Sequence, residues 1–88
     1  RQRLAMLQAS RPTDTLPFWF GVDQEGGPVE RLTPSLCPSL PSFHALSRLG
    51  PDAIGEAIGY QADALRWLGF NLNFSPCLDV NTESANPV

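Results

Sequence analysis

The sequence lacks an excess of basic residues, and that absence sets the first limit on its function. Six Lys and Arg stand against nine Asp and Glu, for a net charge of −3. No basic patch is available to neutralise phosphates, so nucleic acid is excluded as a partner. Long apolar runs are also missing. None approaches the ~18 residues that a membrane-spanning helix needs, so no membrane span is expected. No signal-peptide pattern is visible, although a chain that begins at Arg1 leaves its true start open. Cysteines are few and far apart: Cys37 and Cys77 form no metal-type spacing, and a small disulfide scaffold would carry more. Both read as free thiols, which favours an intracellular (cytoplasmic) compartment over secretion. No metal or cofactor is indicated. There is a single histidine, His44. No Ser or Cys nucleophile arrangement points to it, so it reads as structural or solvated. Internal repeats and low-complexity segments are absent as well.

What the chain does contain is globular in character, with 42% hydrophobic and 17% charged residues among 88. A domain of this size buries only about 60–65% of its unfolded surface, so its core is modest. A short helix is predicted from Arg1 to about Ser10, with Leu4, Leu7 and Met6 towards one side. Pro12 and its turn-forming neighbours end it. Pro17 opens an uninterrupted apolar run through Phe18-Trp19-Phe20-Gly21-Val22, which suits a parallel strand buried on both faces. From Glu25 to about Leu49 four prolines enforce a loop, with one or two helical turns between Ser42 and Leu49. A long ordered loop in a compact domain is usually functional.

The clearest element is a second helix. Gly50 precedes it, Pro51 fits its first position, and Asp52 complements its dipole. Ile54, Ile58, Ala62, Leu65 and Leu68 form one apolar stripe, and Gly69 stops it in the left-handed conformation. A second apolar run, Leu72 to Leu78, reads as a strand ending at Asp79-Val80-Asn81, with Pro76 forcing a bulge or an early exit. The order helix, strand, loop, helix, strand contains a right-handed βαβ unit with parallel pairing. Two strands cannot cover both faces of a sheet or close its edges. The chain therefore reads as a piece of a larger α/β domain, beginning mid-helix and ending just past a loop.

The site candidates cluster where the first strand ends, the position at which α/β enzymes bind ligands. Asp23 and Asp79 each follow a predicted strand. If the strands are neighbours, about 4.8 Å apart, both acids lie on one rim. Paired carboxylates there suit acid/base work or binding of a polyhydroxyl ligand. The alternative is that each caps the segment after its strand; the neighbours of Asp23 favour function, and Asn81-Thr82 beside Asp79 favour capping. Glu25 is either a catalytic acid or a holder of the following turn through backbone N–H groups. Gly26-Gly27 match no phosphate-loop pattern and read as a tight turn with positive φ. Arg31 offers a planar fork for a ligand oxygen or carboxylate, or is a surface arginine. Trp19 and Trp67 are candidates for stacking on a sugar ring, with packing the favoured reading.

Two strings carry a family resemblance: VDQEGGPVERL, and LGFNLNFSPCLDVN followed by NPV. With the proline-rich loop and helix between them, they resemble family 3 glycoside hydrolases, above all the β-N-acetylhexosaminidase branch. The patterns there run D-Q-E-G-G-R-V-x-R, then G-[IF]-N-x-[DN]-[FL]-[AS]-P-x-x-D-[VI]-N, then N-P. The resemblance spans Pro17 to Val88. It implies an α/β fold of the (β/α)8 TIM-barrel type, of which residues 1–88 would be a partial N-terminal barrel domain, about a third of the whole. It implies a retaining hydrolase cleaving terminal β-linked N-acetylglucosamine from oligosaccharides or cell-wall fragments. The alternatives are a β-glucosidase or β-xylosidase of the same family, or a non-catalytic carbohydrate-binding homologue. Asp23 matches the aspartate that accepts hydrogen bonds from sugar hydroxyls in the −1 subsite, and Arg31 the arginine that helps hold the sugar. The nucleophile and the acid/base histidine lie downstream in the family, and His44 does not match the latter. The 88 residues alone are thus expected to contain no catalytic residue and to be inactive. Pro28 departs from the usual arginine, and Cys77 from a small apolar residue.

Overall fold

The computed structural model describes residues 1–80 and 82–85. Asn81 and the Asn86-Pro87-Val88 part of the second motif lie outside the described residues. The element order is α1 (Gln2–Ala9), β1 (Gly21–Val22), α2 (Phe43–Leu46) with a 3₁₀ turn at Ser47–Leu49, α3 (Pro51–Leu68) and β2 (Leu72–Asn73). β1 and β2 pair in parallel, with Gly21 opposite Leu72 and Val22 opposite Asn73. The predicted βαβ unit is therefore present, with α3 as its crossover. Among the described residues no helix is long and apolar enough to cross a membrane.

α3 forms where its sequence signals stand. Gly50 precedes it at φ 89°, Pro51 opens it, and Gly69 closes it at φ 105°. The Gly69 N–H donates to the Leu65 and Arg66 carbonyls, and the Phe70 N–H to Leu65. The left-handed residue thus turns the chain and satisfies orphan carbonyls of the last turn. Gly69 also lies against Leu4 of α1, whose Cβ would be 3.1 Å from an added methyl group. The buried face of α3 is Gln61, Leu65 and Leu68, with Ile54 and Ile58 half-buried. Ala62, assigned to the stripe from the sequence, is exposed, and Gln61 takes its place. A glutamine does not register in a hydrophobic pattern, but its spacing from Ile58 and Leu65 is that of the face.

The strands are shorter than the apolar runs. Instead of Pro17–Val22 and Leu72–Leu78, each pairs over two residues. Nor is the first run buried: Trp19 is 73% exposed and Phe18 42%, while Val22 alone reaches the core. The reason is coverage, since a strand is buried on both faces only when layers lie on both sides, and here β1 has one neighbour. The second run turns away at the cis Ser75–Pro76 bond. α1 differs likewise: Leu4 is half-buried, whereas Met6 and Leu7 are exposed. The core that does form packs Val22, Cys37 and Leu65 together, with Leu32, Ala64 and Phe70 against them.

Side-chain amides extend the two-rung ladder at both ends. Asn71 Oδ1 accepts from the Phe20 N–H at 2.6 Å, and its Nδ2 donates to the Phe18 carbonyl at 2.8 Å. Beyond the other end, Asn73 Oδ1 accepts from the Gln24 N–H at 3.0 Å and Nδ2 donates to the Gln24 carbonyl at 2.9 Å. Gln8 of α1 engages Phe18 in the same reciprocal way, at 2.8 and 3.2 Å. An amide presents the donor and acceptor of a peptide unit, so these three side chains do the work of absent rungs.

Candidate functional site

Asp23 follows directly on β1, at the C-terminal end of a parallel strand, as the sequence predicts. Alternation along the strand sends Val22 and Gln24 inward and leaves Asp23 exposed. Arg31 returns to the same place across a closed loop. Glu25 and Gly26 N–H groups donate to the Val29 carbonyl at 2.9 and 3.1 Å, and Val29 N–H donates back to Gly26 at 3.2 Å. Gly26 and Gly27 make this turn at φ 127° and 59°. The turn is pressed onto the following segment: a Cβ on Gly26 would lie 2.5 Å from the Pro41 carbonyl oxygen, and one on Gly27 2.9 Å from Ser42 Cβ. Glycine is thus required twice, for conformation and for space.

The result brings Arg31 Nη2 to 4.0 Å from Asp23 Oδ2, with the side chains 62% and 48% exposed. Exposed ion pairs contribute little to stability. This one leaves the carboxylate oxygens and most of the guanidinium fork open to a ligand, and the fold does not depend on it. The pair can accept from hydroxyl groups on one side and donate to oxygen on the other.

The remaining candidates fall elsewhere. Glu25 is half-buried and lines a cavity of about 660 Å³ together with His44, Ser47, Cys77 and Asp79. Asp79 therefore shares a cavity with Glu25; Asp23 is not in that lining. β2 ends at Asn73, six residues before Asp79, so the two aspartates are not equivalent strand-end groups. Among the described residues the Glu25 side chain accepts no backbone N–H; the acid that braces the loop is Glu30. Its carboxylate accepts from Ser39 Oγ at 2.8 and 3.0 Å and from the Leu40 N–H at 2.9 Å. His44 sits exposed on α2, 3.3 Å from an Arg48 nitrogen. Trp19 and Trp67 are both exposed, and neither packs in the core; Trp67 carries the Arg1 guanidinium 4.8 Å above its ring. Cys37 and Cys77 are free thiols, the first buried, the second exposed. Burial, and then the nearby Glu30 charge, push the Cys37 thiol above its ordinary pKa. Among the described residues no three His, Cys, Asp or Glu side chains converge as a metal site would require.

Two amides, Gln24 buried and Asn73 half-buried, support the site, and hydrophobic patterning does not find them. Gln24 is fully buried, and its Oε1 accepts from the Arg31 N–H at 2.8 Å and the Leu32 N–H at 3.0 Å. Asn73 holds the Gln24 backbone from the neighbouring strand. The signal available in the sequence is position: Asn73 ends β2 between Leu72 and Phe74, and Gln24 stands two residues past β1, in alternation with Val22.

A strand-end acid and an arginine thus stand together at the C-terminal end of a parallel βαβ unit. The family model described as the N-terminal domain of glycosyl hydrolase family 3 matches residues 2–88, and the chain belongs to that family, whose N-terminal domain is TIM-barrel-like. Beta-hexosaminidase A of Pseudoalteromonas piscicida is 31% identical over 87 residues, covering 91% of this chain. The chain spans 14% of that relative's length. No solved structure matches it.

Proposed function

We propose that the complete protein is a retaining glycosidase that removes terminal β-linked N-acetylglucosamine, and that residues 1–88 supply sugar-binding groups of its −1 subsite. The observation that carries this reading is the Asp23–Arg31 pair, exposed at the end of a parallel strand. Asp23 accepts hydrogen bonds from sugar hydroxyls, and Arg31 donates to a ring substituent beside it. The relative's name, a beta-hexosaminidase, favours an N-acetylhexosamine over glucose or xylose. The nucleophile and the acid/base belong to parts of the domain beyond this chain, which serves here to bind and orient.

The partial-barrel reading draws support from surface and shape. The chain exposes 6653 Å², whereas a compact protein of its 9.6 kDa mass exposes about 5100 Å². Its radius of gyration, 15.3 Å, exceeds the ~12 Å of a compact domain of this length. Trp19, Tyr60, Phe74 and Leu78 are the kind of side chains that further strands and helices of a barrel would cover.

Asp23→Asn in the complete enzyme tests the proposal. Hydrogen bonds to a charged acceptor contribute about 1.5–3 kcal/mol, so kcat/KM on an aryl N-acetylglucosaminide should fall roughly ten- to a hundred-fold. Unchanged activity would remove Asp23 from the subsite. A preference of the parent enzyme for the aryl glucoside would reassign the substrate within the family.

A further inference from the structure

We infer that Gln24 and Asn73 are positioning residues that set Arg31 opposite Asp23; the inference rests on the sugar-binding reading of that pair. Arg31 has an exposed side chain in a proline-rich loop, where nothing in the sequence fixes its backbone. The structure fixes it from beneath. Gln24 Oε1 accepts from two consecutive backbone N–H groups, those of Arg31 and Leu32. Gln24 is itself locked, because Asn73 pairs with both its N–H and its carbonyl. Asp23 is the preceding residue, directly after β1. The acid and the arginine are thus referred to one buried amide, with the Glu25–Glu30 excursion closed above it.

A second observation describes the same amide. Gln24 Nε2 is buried with no hydrogen-bond partner among the described residues, and so is Gln61 Nε2. A buried donor without a partner is destabilising, whereas a methionine would fill the same volume without one. What methionine cannot do is accept from the Arg31 and Leu32 N–H groups. Gln24 supplies that acceptor to the loop that carries Arg31. Its neighbour Asn73 reaches Gln61 Oε1 only at 3.5 Å, so its two bonds to Gln24 are its principal ones.

A double-mutant cycle in the complete enzyme separates this role from a structural one. Gln24→Met should lower kcat/KM on an aryl N-acetylglucosaminide about tenfold, through KM more than kcat, because the affected group binds sugar. In an Arg31→Ala background the same substitution should change kcat/KM less than twofold, while its effect on Tm stays the same in both backgrounds. An equal loss in both backgrounds would overturn the inference and leave the sugar-binding reading intact. An Arg31→Ala variant with full activity would sink the sugar-binding reading itself, and the inference with it. Should Gln24→Met not fold, Asn73→Ser, which removes both bonds to the Gln24 backbone, is put through the same cycle. Failure of both variants to fold would assign the two amides to the fold alone and overturn the inference.

Discussion

Three acids lie within eight residues of one another, and their surroundings give them three different roles. Asp23 is exposed and faces a guanidinium. Glu25 lines a cavity that Asp23 does not. Glu30 is spent on Ser39 and Leu40, tying the loop to itself. Charge alone does not separate them; alternation along the strand and the return path of the loop do. The two cysteines divide in the same manner. Burial and the charge of Glu30 disfavour the Cys37 thiolate, and the thiolate is the reactive form. Iodoacetamide should therefore modify exposed Cys77 in the native protein and reach Cys37 only after unfolding. Because the folded-state pKa of Cys37 is raised, its contribution to stability is fully present below the unfolded thiol pKa and is lost as pH rises through the folded value. A Cys37→Ser variant should accordingly flatten the alkaline limb of the Tm-against-pH curve.

At the scale of elements, the legible features were those written in glycine, proline and apolar spacing. The bounds of α3, its glycine flanks and the parallel crossover could all be read from the sequence. So could the short helical turn near Ser42, whose hydroxyl accepts from the Ala45 N–H. Strand length and burial could not, because an apolar run records what a strand meets in a whole sheet, and β1 here meets only β2. Nor could Gln61 and Gln24, since buried amides contribute nothing to a hydrophobic period. The Gly26–Gly27 turn gives a test at this scale. Gly26→Ala places a methyl group 2.5 Å from the Pro41 carbonyl oxygen at a φ of 127°. Backbone strain of this kind costs roughly 1–3 kcal/mol before the clash is counted, so Tm of the complete protein should fall by several degrees. Gly59→Ala is the control. Its Cβ meets nothing within 4 Å, and removing a helix-interior glycine should raise stability by roughly 0.5–1 kcal/mol. Thermal melts of the two variants should move in opposite directions.

Taken as a whole molecule, the chain has more surface than its mass warrants, and its sheet has only two strands. The isolated 88 residues should accordingly show no cooperative melt and no glycosidase activity, and the complete protein should show both. Calorimetry and an aryl glycoside assay on the isolated segment check this together. A sharp transition with turnover would overturn the partial-barrel reading.

The asparagines beside β2 have one more consequence, for how the strand finds its place. Two rungs of ladder tolerate sliding, because every peptide unit is alike. Asn71 and Asn73 are not alike to their neighbours: each amide fits one carbonyl and one N–H on the opposite strand. A slip by one residue would present Leu72 or Phe74 to those groups and leave four backbone bonds unmade. The pair therefore works as a key with two teeth, admitting β2 to its slot in a single alignment and fixing, from 49 residues away in sequence, where Gln24 comes to rest.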